Sequence, residues 1–299
     1  SQKPLVAALL STCIITGADI KVKPPLCRVA AFACIAGANV VSSYQRRELG
    51  KNPSGGRSFL MRDYKVEFEK RVEFIRERLA VSHCSGIVYG NSGGKDSALV
   101  GILCKAAGDN TVGIIMPCAS RRNYGMDRDD GMEVAEQFNI ETRTVDLTPV
   151  REAELAALKG VTELTDMAVA NIAPRLRMIT LYAIAHAEGR IVAGTGNASE
   201  AYVGYFTKWG DGAHDFNPIA DLTVTEVYEF LEYLHAPRSI IEKAPSAGLF
   251  EGQTDEAEMG ITYAAIDAYL NSGEVSSHDR EIIERMHANS EHKREPIAR

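Results

Sequence analysis

The chain of 299 residues contains no long hydrophobic run. Its apolar stretches, such as 6–10 and 29–36, fall well short of the roughly 20 residues needed to cross a bilayer, so no membrane role is expected. Excess positive charge is also missing, since 33 Lys and Arg face 40 Asp and Glu for a net charge of -7. That balance argues against a general nucleic-acid binder. The six cysteines, Cys13, Cys27, Cys34, Cys84, Cys104 and Cys118, form no CxxC pair and show no zinc-type His spacing. They read as buried or free thiols of a reducing cytoplasm. Two common phosphate motifs are absent as well. Walker A requires a glycine where Tyr89 stands and Ser or Thr where Asp96 stands, and the run Gly194-Thr195-Gly196 has Ser199 in place of the third glycine of GxGxxG.

What is present is a soluble composition, 45% hydrophobic and 24% charged, sufficient for one or two domains. Residues 1–60 stand apart: eight Lys or Arg against two acidic residues, Pro24-Pro25, and no sustained period. They read as an extension of unknown role, poorly ordered or serving transit or docking, ahead of a module spanning 61–299. From Asp63 onward Phe68, Val72, Ile75 and Leu79 recur at helical spacing. Strands are expected over 86–89, 111–116, 141–146 and 191–193. Helices are expected over 98–107, 127–138, 166–188, 223–234, 261–270 and 277–286, with a break near Ala173 caused by Pro174. Strands alternating with helices imply an α/β fold, a doubly wound parallel sheet with helices on both faces, whose ligands bind beyond the strand C-termini.

The stretch GNSGGKDS, Gly90 to Ser97, follows the first strand and opens a helix. Such a turn aims backbone N–H groups and a helix N-terminus at a phosphate. Gly90, Asn91, Ser92, Gly93, Gly94, Lys95, Asp96 and Ser97 are therefore candidate phosphate contacts. Asp96 would repel a bare phosphate, so it reads either as a metal carboxylate or as a helix cap. A second glycine loop, GTGNASE from Gly194 to Glu200, ends another strand. Thr195 can donate to a phosphate there, and Glu200 can be a second metal carboxylate. GYFTKWGDGAHD, Gly204 to Asp215, mixes the only tryptophan with a Lys and two Asp and reads as an ordered loop. Taken alone, Arg175 and Arg177 read as solvated helix cations, and the charged tail with His292, Lys293 and Arg294 as a solvated, mobile run.

SGGKDS resembles the PP-loop of N-type ATP pyrophosphatases. Together with NIAPRLRM, GTGNASE, GYFTKWGDG, PSAGLFEGQTDE and SEHKR in this order, it resembles the ammonia-dependent NAD synthetase family over about 61–299. That resemblance implies an adenine nucleotide alpha hydrolase-like fold and ATP-dependent amidation of deamido-NAD with ammonia, through an acyl adenylate, to give NAD, AMP and pyrophosphate. It implies ATP contacts from Gly90–Ser97, Thr195 and Ser246, and deamido-NAD contacts from Arg175, Lys208, Asp215, His292 and Lys293. Magnesium would be held by Asp96 and Glu200, with Asp96, Glu200 and Lys208 as the catalytic set. A cytoplasmic homodimer is implied, using free ammonia or ammonia from a separate partner. Sixty residues are too few for a built-in glutaminase domain. One departure stands out: Asp221-Leu222-Thr223 is followed by Val224 where the family commonly has a Lys facing the ATP phosphates. Activity is expected to survive with Lys208, Lys243 or Lys293 compensating. The competing readings are a PP-loop pyrophosphatase with another carboxylate or tRNA substrate, and a weakly active or non-catalytic nucleotide binder.

Overall fold

A computed structural model of the chain describes residues 62–119, 125–243 and 254–295. The 1–60 extension, Arg121, Arg122 and Ser246 lie outside the described residues. Four short strands, β1 (Gly86–Gly90), β2 (Thr111–Ile115), β3 (Glu141–Thr144) and β4 (Arg190–Ala193), form one parallel sheet in the order β3-β2-β1-β4. The chain steps outward from β1 to β3, then returns through a long helical crossover to place β4 on the other side of β1. The β1–β4 boundary is thus the point where strand order reverses, and a crevice opens there beyond the strand ends.

Residue type explains the sheet. In β1 the sequence GIVYG is apolar throughout because both faces are covered. Ile87 and Tyr89 point into the core on one side, with α1 (Tyr64–Ser82) and α2 (Lys95–Ala107), while Val88 joins Val112, Ile114 and Val192 on the other. Tyr89 is completely buried, and Gly101 of α2 makes room for it. A Cβ at position 101 would lie 2.3 Å from the Tyr89 hydroxyl. The second face is covered by α6 (Ile172–Glu188), and α3 (Met126–Gln137) packs beside β2 and β3.

Several boundaries differ from the sequence expectation. Asp63 caps α1, accepting from the N–H groups of Lys65 and Val66. Helix α2 begins at Lys95, three residues earlier than the apolar pattern suggested, because Lys95 and Asp96 form its polar first turn. An acid there suits the helix dipole. A helix α4 (Thr148–Leu158), with Pro149 in its first turn, was not expected. It buries no residue, so its apolar period is weak. The crossover divides at Asn171 into α5 (Asp166–Ala170) and α6. Pro174 lies inside the first turn of α6, where its missing N–H is tolerated, so the break falls just before the position expected.

Beyond β4 the chain forms α7 (Ala198–Val203), α8 (Val224–Tyr233), α9 (Arg238–Ile241), α10 (Asp255–Met259), α11 (Tyr263–Asn271), α12 (Ser277–Asn289) and α13 (Glu291–Arg294). Thr223 starts α8 with a complete capping box closed by Glu226. The expected solvated tail is instead docked, because its cations find backbone carbonyls. Lys293 donates to Gly204 and Phe206 at 2.8 Å each, and Arg294 donates to Ala201, Tyr202 and His287.

Candidate functional site

The two glycine loops meet at the crevice between β1 and β4 and line one cleft of about 700 Å³. The shape of the first loop is set by its own polar groups. The Ser92 and Ser97 hydroxyls lie 3.0 Å apart, and Ser97 Oγ also donates to the Gly94 carbonyl. Asn91 donates to the Gly131 carbonyl of α3 at 2.9 Å, so the loop is tied to a neighbouring helix. Gly93 has φ 69°, and a Cβ there would sit 1.9 Å from the Asp127 carbonyl oxygen. Only glycine fits between the loop and α3.

Asp96 does not cap α2. Gly94 is the N-cap and makes no side-chain cap bond, while the Asp96 carboxylate turns toward the second loop. It accepts from Asn197 Nδ2 at 3.1 Å and from Lys95 Nζ at 2.8 Å. Asn197 in turn caps α7, accepting from the Glu200 N–H at 3.0 Å. Glu200 Oε1 lies 3.7 Å from Lys95 Nζ. The structure therefore brings Asp96 and Glu200, the two carboxylates expected from sequence, around a single lysine. Asn197 holds their loops together, a role sequence reasoning missed, although its position just before a helix marks it as a cap.

Among the described residues no group of three or more His, Cys, Asp or Glu side chains forms a metal site. Two carboxylates with open positions nevertheless fit magnesium, which usually takes one or two protein carboxylates and completes its shell with water and substrate phosphate. The electrostatics agree. Burial and then the Asp96 charge push the Glu200 pKa up to about 8, against the pull of Lys95. Burial opposes the Lys95 charge, yet Asp96 and Glu200 outweigh it and hold the ammonium above the ordinary lysine value. The native protein thus retains a proton on Glu200 that the unfolded chain releases near 4.5, so metal-free stability falls as pH rises from about 4.5 to 8. Glu200→Gln removes this dependence. We expect unfolding in EDTA to show the variant matching the parent near pH 5 and exceeding it by roughly 2–4 kcal/mol above pH 8. Parallel pH profiles would contradict the assignment.

The remaining candidates fall into two places. Thr195 and Lys293 line the cleft. Arg175, Lys208 and His292 gather beside it: Arg175 donates to the carbonyls of Asn171 and Lys208, and Lys208 Nζ donates to the His292 carbonyl. Asp215 lies apart from that group, accepting from the Val192 N–H at 2.8 Å and from the Tyr182 hydroxyl at 3.1 Å. Arg177, read as a solvated cation, instead lines the cleft and donates to the Met116 carbonyl at 3.1 Å.

Other site residues escaped the sequence reading. Asp255 and Glu258 of α10 line the cleft; the Tyr205 hydroxyl donates to Glu258 at 2.7 Å and lies 3.2 Å from Asp255, to which Tyr263 donates. Asp255 has a sequence signal in the acidic end of QTDE, while Glu258 lies two residues beyond that segment. Val224 is 4% exposed and packs with Met259, Ile261, Tyr263 and Ile266.

Known proteins resemble the chain along this whole region. The sequence model of the NAD synthase family matches residues 67–297. The NH(3)-dependent NAD(+) synthetase of Carboxydothermus hydrogenoformans is 47% identical over 235 residues, covering 78% of this chain and 96% of that protein. Among solved structures, the NMN synthetase of Francisella tularensis superposes with TM-score 0.76 and 40% identity, over 80% of this chain and 99% of that one. The NH3-dependent NAD synthetase of Campylobacter jejuni, in complex with nitrate, gives TM-score 0.65 and 28% identity, over 80% and 99%.

Proposed function

The chain belongs to the NAD synthase family, and from that premise we propose that its cleft carries out the ATP-dependent amidation of deamido-NAD by ammonia, releasing AMP and pyrophosphate. A carboxylate resists ammonia because its leaving group would be an oxide. The nicotinate carboxylate therefore attacks the α-phosphorus of ATP, pyrophosphate departs, and ammonia displaces AMP from the resulting acyl adenylate. The protein contributes chiefly position and charge.

The observation that carries this reading is the joining of the two strand-end loops through Asn197 and Asp96. The 90–97 loop presents backbone N–H groups and the α2 N-terminus to the ATP phosphates, with Thr195 opposite. Asp96 and Glu200 would hold magnesium, which supplies neutralisation of phosphate charge. Arg175, Lys208, His292 and Lys293 would orient the dinucleotide, and Ser246 would add a phosphate contact. Asp215 would act from its position beside β4, where it accepts from the Val192 N–H. The module begins near Met61, with 1–60 outside it. Met167 and Ile179, 54% and 57% exposed on α5 and α6, suit burial in a homodimer. No helix among the described residues is long and apolar enough to cross a membrane. Among the described residues Cys104 and Cys118 are buried thiols outside any disulfide, as suits a cytoplasmic enzyme.

Incubation with ATP, magnesium, deamido-NAD and ammonium should yield NAD, AMP and pyrophosphate in equal amounts. ATP binding without AMP release would overturn the reading. The close superposition with an NMN synthetase favours a second acceptor, nicotinate mononucleotide, whose amidation gives NMN by the same chemistry. Measuring kcat/KM for both acceptors decides between them.

A further inference from the structure

Backbone N–H groups supply only partial charges to a phosphate site, and position 224 holds a buried valine. The three lysines expected to compensate are engaged elsewhere. Lys208 is held by the His292 carbonyl, and Lys293 by the carbonyls of Gly204 and Phe206. Lys243 is held by Asp127 at 2.8 Å, Asp130 at 2.6 Å and the Gly93 carbonyl at 2.9 Å. It braces the glycine loop against α3.

Lys95 differs in kind. It is the first residue of α2, its side chain is 7% exposed, and it lines the cleft. Its ammonium contacts the carboxylates of Asp96 and Glu200 at 2.8 and 3.7 Å. Behind it stand the rings of Tyr263 and Tyr228, 5.6 and 6.0 Å from Nζ, whose faces favour a cation. Val224 packs in that same aromatic wall. A side chain at 224 starts from the wall on which Lys95 already leans.

We infer that Lys95 is the fixed cation of the phosphate site: its ammonium holds Asp96 and Glu200 together before nucleotide enters, then faces the pyrophosphate of ATP. Once Glu200 ionises, two carboxylates held together out of water need a counter-charge, and an ammonium on a four-carbon stem is compact and can pivot between acceptors. The inference rests on the reading of the cleft as an ATP site.

The test is Lys95→Gln, with two binding measurements. Pyrophosphate and ATP affinity, measured by calorimetry in EDTA, should fall about tenfold or more, as expected for a lost charge-assisted contact. Affinity of the free protein for Mn2+, read by electron paramagnetic resonance, should rise severalfold because the carboxylates lose a competing cation. A packing role alone would not move the two in opposite directions. Should Lys95→Gln fail to fold, the double variant Lys95→Gln/Glu200→Gln is compared with Glu200→Gln, and the same loss of pyrophosphate affinity is expected. Pyrophosphate affinity within twofold of the parent, or weaker Mn2+ binding, overturns the inference. If that occurs while the unsubstituted protein makes NAD, the inference alone fails; if the unsubstituted protein binds neither ATP nor pyrophosphate, the functional reading fails and takes the inference with it.

Discussion

Asp96→Asn is expected to lower NAD formation by about 10³-fold or more, with little change in folding. Asn preserves the size of the side chain, and its carbonyl oxygen can still accept from Asn197 Nδ2 as Asp96 does at 3.1 Å. What it lacks is charge. Its amide would present N–H to Lys95, which now bonds the carboxylate at 2.8 Å, and one of two hard oxygen ligands for magnesium would be lost. Removing a single preorganised charge-stabilising group from an active site typically costs 10² to 10³ in turnover, and on the proposed reading this one would also hold magnesium. NAD production measured at saturating ATP and magnesium checks the loss, and thermal unfolding checks the fold. Full activity in a folded variant would remove Asp96 from the metal site.

Gly93→Ala should produce the other large effect, in both stability and ligand binding. The residue sits at φ 69° with its would-be Cβ 1.9 Å from the Asp127 carbonyl oxygen. Rotating a flexible neighbour cannot relieve such a contact, because the obstacle is backbone in the first turn of α3. The loop or the helix must shift, pulling on the Lys243 bond to the Gly93 carbonyl. A destabilisation of about 2–4 kcal/mol is expected, with ATP affinity reduced more than about 100-fold. Gly94→Ala provides the contrast. Its nearest obstacle is Ser92 Oγ at 3.4 Å, an ordinary contact, so its melting temperature should stay near that of the parent. Calorimetry and thermal unfolding on both variants separate loop shape from phosphate access; equal stability in the two would refute the steric account.

The strand-end loops were legible in the sequence because their composition is local. Glycines, small hydroxyls and an acid following an apolar strand have few other uses, and GNSGGKDS and GTGNASE share that pattern. The sheet was legible from its apolar β-branched runs. Helix α4 was not, since a surface helix that buries nothing leaves little periodic trace. The tail was misread for a different reason. Charge in Lys293 and Arg294 signals solvation only when no acceptor is near, and their carbonyl acceptors, apart from that of His287, belong to residues 201–206, some ninety positions away in sequence. The bracing roles of Lys243 and Asn197 escaped likewise, because a side chain that ties two distant segments looks like any other polar residue in its own neighbourhood.

The bond between Asn197 and Asp96 also bears on how the protein becomes competent during folding. Its partners are 101 positions apart in sequence, and β1 meets β4 across a similar distance, Gly86 pairing with Arg190. A chain folded only as far as β3 owns its glycine loop but has no opposite wall. Nucleotide affinity is therefore a property of the completed sheet, and ATP adds stability only to molecules in which β4 has docked. Such non-local pairing is slow to form, so a nucleotide site that needs both loops is expected to assemble late in folding.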